Sequence, residues 1–391
     1  MWIDRKYETT VAAVFKQFPV LVLTGARQVG KTSLVRRVFA EAEYLSLDIP
    51  SLAAQAENSP TALLANRREP VIIDEIQYAP ALLRHLKVLV DQDKRPGRFV
   101  LTGSQNFELM QAAAESLAGR CAVIPMANLC YGELSGQGQA CSPEDFVFRG
   151  GFPELYQRPG IEGHLWHAAY LATYLERDVR NILNVGSLRD FDRFLRAAAL
   201  RTGQILSYSE LARDVGIAPN TAKNWISVLQ ASGQIHLLEP YHRNLGKRLI
   251  KAPKLYFADS GLAAFLMGFE SAAQLWRHPV AGALWQTFVV MEVVKHFQAL
   301  GRRPALWYWR TVNGAEVDLL IEQAGRFTAI ECKLQENPGP VTLKGFDSLK
   351  RFYGSDCLIA GLVACRTAHP FVLGTGAQAV NGGQIALFLG V

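Results

Sequence analysis

This sequence predicts an α/β architecture: an N-terminal parallel sheet with helices, a helical centre, and a second, smaller α/β unit at the end. Three stretches predict it. The first is Gly25-Ala26-Arg27-Gln28-Val29-Gly30-Lys31-Thr32, a G-x-x-x-x-G-K-[ST] pattern between the apolar run Val20–Leu23 and a helix-periodic segment, Ser33–Phe39. The second is Val71-Ile72-Ile73-Asp74-Glu75, which delivers two carboxylates at the C-terminal end of a buried strand, where parallel sheets bind ligands. In the third, Glu316–Ile321 and Phe327–Lys333 read as a hairpin around Gln323–Arg326, carrying Asp318, Glu331 and Lys333.

Taken in order, Met1–Phe18 reads as a helical lead-in ended by Pro19. In the phosphate loop, glycines let successive amides turn toward one phosphate, and the helix N-terminus adds partial positive charge. Lys31 is placed to reach the β- and γ-phosphates of ATP, and Thr32 to ligate Mg²⁺. The candidate ATP-binding residues are Gly25, Ala26, Arg27, Gln28, Val29, Gly30, Lys31, Thr32 and Ser33, with Asp74 and Ser104. A chance glycine turn would leave both flanks unexplained.

Tyr44–Asp48 is a second strand stopped by Pro50, and Pro60–Asn66 a short helix. Asp74 is expected to hold the Mg²⁺ shell and Glu75 to act as general base toward the attacking water. Ala81–Val90 is a helix and Arg98–Ser104 another buried strand. A polar group at its end would sense the γ-phosphate: Ser104 first, Asn106 second, against a plain serine turn. Phe107–Ala118 is helical, and Gly119-Arg120 precedes the strand Cys121–Met126. Arg120 either faces a neighbouring subunit's nucleotide, a finger worth roughly 10³ to 10⁵ in rate, or is a surface arginine after a helix cap. The finger reading implies a homo-oligomer.

At 391 residues the chain has room for two or three domains of roughly 150 residues each. With 49% hydrophobic and 19% charged residues, global disorder is excluded. A net charge of +6 is compatible with nucleic acid without being diagnostic of it. The six cysteines show no C-x-x-C spacing, which fits free thiols in a reducing compartment. Asp4, Arg5 and Lys6 precede any apolar core, unlike a signal peptide, and no apolar run reaches the roughly 18 residues of a membrane span. The expectation is a cytoplasmic protein.

Gly25–Thr32, Asp74-Glu75, Leu101-Thr102-Gly103-Ser104 and Leu117-Ala118-Gly119-Arg120 together resemble the AAA-type ATPase domain of a broad bacterial and archaeal family. Its members carry a C-terminal domain of unknown function similar to PD-(D/E)xK nucleases. The resemblance covers essentially the whole chain. It implies an ASCE-type sheet, with one strand between the phosphate-loop strand and the Asp-Glu strand. The expected units are residues 1–145, 146–270 and 271–391.

In the middle, Gln137–Pro143 and Phe148–Pro153 are breaks, and Ile161–Val179 is an amphipathic helix. Tyr208–Val215, a Gly216 turn and Asn220–Ser232 read as helix–turn–helix, followed by two wing-like strands, Gln234–Glu239 and Lys254–Phe257. Between those strands, Tyr241–Arg248 is a basic loop. Either this winged helix binds DNA, through Asn220, Lys223 and Asn224 and the loop, or it serves only packing, with Trp225 filling the core.

In the C-terminal hairpin, residues two apart share a strand face, so Glu331 and Lys333 project together and Cys332 points away. Asp318 and Glu331 would hold Mg²⁺ or Mn²⁺, and Lys333 would orient water. Glu292, from the helix Ala283–Phe297, would complete the metal shell. This is a D…(D/E)-x-K pattern in which Val317 replaces the usual proline. The unit either cleaves phosphodiesters or keeps a nuclease-like fold for binding alone.

Overall fold

The computed structural model describes residues 2–65, 67–104, 116–138, 141–158, 160–173, 188–241, 252–374 and 376–390. The side chain of Ser104 also lies outside this set.

The N-terminal unit runs α1 (Tyr7–Phe15), β1 (Val20–Gly25), α2 (Lys31–Val38), β2 (Glu43–Ser46), α3 (Pro50–Asn58), α4 (Pro60–Leu64), β3 (Val71–Asp74), α5 (Leu82–Gln92), β4 (Phe99–Ser104) and β5 (Cys121–Pro125). Its sheet is parallel throughout, in the order β2-β3-β4-β1-β5. One strand, β4, therefore separates β1 from β3, as the resemblance implies. Strand period explains why β1 is apolar throughout. Val20 and Val22 pack on one face with Leu82, Leu86 and Val90, whereas Leu21 and Leu23 pack on the other with Tyr7, Val11 and Leu34. Pro50, read as a strand stop, is also the first residue of α3, where its missing N–H costs nothing.

The centre contains α6 (Tyr131–Ser135), α7 (Pro143–Arg149), α8 (Glu154–Gln157), α9 (Gly163–Tyr170), α10 (Leu188–Ala199), β6 (Gln204–Ile205), α11 (Tyr208–Val215), α12 (Pro219–Ala231), β7 (Ile235–Leu238), β8 (Lys254–Phe257), α13 (Ser260–Leu266) and α14 (Ala272–Arg277). Gly216 ends α11 in a left-handed conformation, φ 84°, which turns the chain into α12. The sheet order is β6-β8-β7, antiparallel. Trp225 of α12 meets Phe191 and Phe194 of α10 edge-on at 5.1 and 5.0 Å. The sequence reading missed α10, although its buried residues, Phe191, Phe194, Leu195, Ala198 and Ala199, recur at helical spacing. The basic loop beyond Tyr241, the expected Ile161–Val179 helix beyond residue 173, most of the expected Phe107–Ala118 helix and Asn106 lie outside the described residues.

The C-terminal unit begins with α15 (Ala281–Ala299). There follow β9 (Ala305–Arg310), β10 (Glu316–Gln323), β11 (Arg326–Cys332), α16 (Lys344–Tyr353), β12 (Leu358–Cys365), β13 (Phe371–Leu373) and β14 (Ala377–Asn381). The mixed sheet, β13-β14-β12-β11-β10-β9, carries α15 on one face and α16 on the other. The centre and the C-terminal unit share a core, whereas the N-terminal sheet packs in two clusters of its own. One apolar cluster runs from Ile3 and Leu129 through Phe194, Trp225 and Trp285 to Leu389.

Candidate functional site

The phosphate loop is built by backbone geometry that few residues tolerate. Gly25 has φ 155°, and a Cβ there would stand 2.2 Å from Met126 O; Gly30 is left-handed, φ 95°, immediately before α2. The loop is tied down from behind by Arg5, whose Nη1 donates to Val29 O at 2.8 Å while its Nε pairs with Glu133 at 3.1 Å. Lys31 is buried and its Nζ donates to Gly25 O at 3.0 Å and Ala26 O at 2.8 Å, so its ammonium lies against the loop. Arg27, Gln28, Gly30, Lys31, Thr32, Ser33 and Glu75 line one cavity of about 410 Å³.

Asp74, at the end of β3, is the most densely held group of the site. Thr32 Oγ1 lies 3.0 Å from both of its oxygens, Tyr44 OH donates to Oδ2 at 2.6 Å, and Thr102 donates to Oδ1. Burial and this bond to Asp74 push the Tyr44 phenol up to about 12. A hydroxyl facing a carboxylate is a hard-oxygen donor pair of the kind Mg²⁺ accepts when it arrives with nucleotide phosphates. Bound there, the cation would neutralise charge on the β- and γ-phosphates.

Glu75 follows in a left-handed conformation, φ 58°. Such a non-glycine residue costs about 1–3 kcal/mol and persists where the surroundings enforce it. Its N–H donates to Thr102 Oγ1 at 3.3 Å and its carboxylate accepts from Gln77. Thr102 therefore joins both acidic residues from β4. Thr102 and Tyr44, which hold Asp74, are not among the residues the sequence singles out, and the side chain of Ser104 lies outside the described set. The available signal was a threonine two residues earlier, inside an otherwise apolar buried strand.

Arg120 stands away from these groups. Its Nε and Nη2 pair with Asp91 of α5 at 2.6 and 2.9 Å, and Nη1 donates to Ala118 O at 3.0 Å. As a finger it would have to leave Asp91.

The C-terminal residues come only partly together. Lys333 Nζ donates to Glu331 Oε1 at 2.8 Å, while Cys332 packs on the α15 side of the sheet. Burial, then Asp318, push the Glu331 carboxyl up. Asp318 Oδ1 accepts from Gln286 Nε2 of α15 at 2.9 Å and pairs with Lys254 Nζ of β8 at 3.3 Å; Oδ2 accepts from Cys332 N at 2.9 Å. Lys254, 3% exposed in its side chain, also pairs with Glu316.

Glu292, expected as the fourth member, is elsewhere: its Oε1 accepts from Tyr131 N at 2.9 Å, near Lys295 and Lys6. The reason is helical. Gln286 is the α15 residue that meets Asp318, and six residues at 3.6 per turn rotate Glu292 to a different face. Among the described residues no group of three or more His, Cys, Asp or Glu is arranged to hold a metal. Asp318 and Glu331 each have a lysine beside them, Lys254 and Lys333 respectively.

Sheet order, loop and Asp-Glu pair together define a phosphate-loop ATPase of the AAA type, and residues 17–135 match the family described as an AAA domain. The chain belongs to one family with the uncharacterized proteins Rv2008c of Mycobacterium tuberculosis and Mb2031c of Mycobacterium bovis. It is 33% identical to each over 325 residues, covering 82% of this chain and 71% of theirs. Residues 142–273 and 281–384 match two families described as domains of unknown function, DUF8612 and DUF4143.

Among solved structures, the Walker-type ATPase of Pyrococcus abyssi is similar at 17% identity and TM-score 0.44, covering 68% of this chain and 96% of that one. A STAND ATPase with a tetratricopeptide repeat sensor from Pyrococcus horikoshii is similar at 14% identity and TM-score 0.26, covering 76% of this chain and 47% of that one.

Proposed function

We propose that this ATPase uses ATP to act on nucleic acid, with Lys31 gripping the phosphates, Asp74 and Thr32 placing Mg²⁺, and Glu75 activating water. The observation that supports hydrolysis is the single network joining Thr32, Asp74, Thr102 and the Glu75 backbone. Nucleic acid is favoured by the helix–turn–helix. Asn220, Lys223 and Asn224 are exposed on α12, while Trp225 and Ile226 are buried behind them. Such a face suits a groove, and the net charge of +6 suits phosphates.

A specific observation favours the non-cutting reading of the C-terminal unit. Asp318 already has Lys254, Gln286 and the Cys332 amide as partners. The unit is read as a nuclease-like binding module under nucleotide control.

Duplex DNA binding by the full chain tests both parts. Lys223→Glu should weaken it, more so at low salt, by an amount close to one phosphate contact. Cleavage of DNA or RNA with Mn²⁺ that depends on Lys333 would overturn the non-cutting reading. Indifference of DNA binding to Lys223→Glu and Asn224→Ala would remove the role of α12.

A further inference from the structure

We propose that the nucleotide pocket is completed within the same chain by the end of α9, and that Tyr170 there reports nucleotide occupancy to the central sheet. This rests on the ATP reading of the phosphate loop and adds to it a wall and a reporter. The cavity over the loop is lined by Lys31, Thr32 and Glu75 and also by Tyr170 and Thr173. Lys31 and Glu75 mark its phosphate end. The end of α9 therefore borders the same cavity as the groups proposed to hold and hydrolyse the γ-phosphate, where a wall limits the access of bulk water.

Tyr170 is held as a lever would be. Its ring lies 4.8 Å from that of Phe152 and stacks on Trp166 at 5.2 Å, 11° from parallel. Its hydroxyl accepts from Gln234 Nε2 at 3.0 Å. Gln234 immediately precedes β7, is buried, and accepts from Ala258 N, just past β8, at 2.8 Å. A displacement of Tyr170 is thus felt where β7 and β8 meet, beneath α12. Beyond Tyr170 the helix widens into a π turn at residues 171–173, an irregularity that recurs at functional sites. Thr173, exposed on that turn, is the position where added bulk enters the cavity without disturbing a core.

The test is a titration of the full chain with Mg·ATPγS, read by displacement of a fluorescent nucleotide and by tryptophan emission. Thr173→Leu should weaken binding about tenfold, ~1.4 kcal/mol, with its melting temperature kept, and Thr173→Ser should restore it. Wild-type emission should change with nucleotide, and Trp166→Phe should remove that change while leaving affinity within about twofold, ~0.4 kcal/mol. Lys31→Ala is the control for the parent reading: if it binds ATPγS as wild type does, the ATP site itself is misplaced. If Lys31→Ala loses binding while Thr173→Leu binds normally, or emission ignores nucleotide, the inference fails alone.

Discussion

Thr102 is the residue on which the hydrolytic site turns. Its hydroxyl donates to the Asp74 carboxylate and accepts the Glu75 N–H, so one side chain holds both the carboxylate proposed to place Mg²⁺ and the left-handed backbone of the proposed base. Thr102→Val keeps the shape of a fully buried side chain and removes both bonds. ATP affinity should stay near wild type while kcat falls by about 10-fold or more, the worth of one or two lost hydrogen bonds at ~1 kcal/mol each. Separate measurement of kcat and nucleotide Kd checks the split.

Lys254 poses the opposite case. Lys254→Ala leaves Glu316 and Asp318 facing each other without their ammonium, and breaking such a buried pair costs about 3–5 kcal/mol. Chemical denaturation should show that loss, and a loss under about 1 kcal/mol would make Lys254 a surface-like pair. The phosphate loop and the Asp-Glu pair were legible because their spacing is set by chemistry. Thr102, Tyr44 and Lys254 were not, because strand pairing and tertiary packing bring them to their partners.

At the scale of elements, α15 shows how far pattern reading reaches. Its length and helicity follow from its apolar run, but which partner each buried polar residue meets depends on the rotation of the helix against two other units. Gln286 turns to the C-terminal sheet, Glu292 and Lys295 to the segment that enters α6, where Lys295 Nζ donates to Leu129 O at 3.0 Å. Burial raises the Glu292 carboxyl to about 7, against Lys295 and Lys6 nearby. A carboxyl raised in the folded state contributes its full share below the unfolded pKa, near 4.3, and loses it as pH climbs through about 7. Glu292→Gln cannot ionise. The melting temperature of wild type relative to Glu292→Gln should therefore fall between pH 5 and 8, and a difference independent of pH would place Glu292 in solvent. The helix–turn–helix elements were legible from the Gly216 turn between two helix-periodic segments, whereas α10, with its charged residues among the apolar ones, was not.

For the whole molecule, one apolar cluster joins the centre to the C-terminal unit, while the phosphate-loop sheet keeps two clusters of its own, one of which reaches Ala299 of α15. Assembly adds a further layer. Arg120 is paired with Asp91 of its own chain, and a neighbour's nucleotide would have to compete for it. If it does, turnover per chain should rise with protein concentration. Mixing Arg120→Ala with Lys31→Ala chains should restore activity at interfaces that pair an intact loop with an intact arginine. A concentration-independent rate from a monomer in light scattering would leave Arg120 as a surface pair.

ATP turnover by the full chain, measured for wild type, Lys31→Ala and Glu75→Gln with and without duplex DNA, is the decisive quantity. Wild type should hydrolyse ATP faster with DNA, and Lys31→Ala should fail to bind nucleotide. Glu75→Gln should bind ATP yet turn over about 10²-fold or more slowly, as loss of a general base requires. Equal turnover in Glu75→Gln and wild type would contradict the role proposed for Glu75.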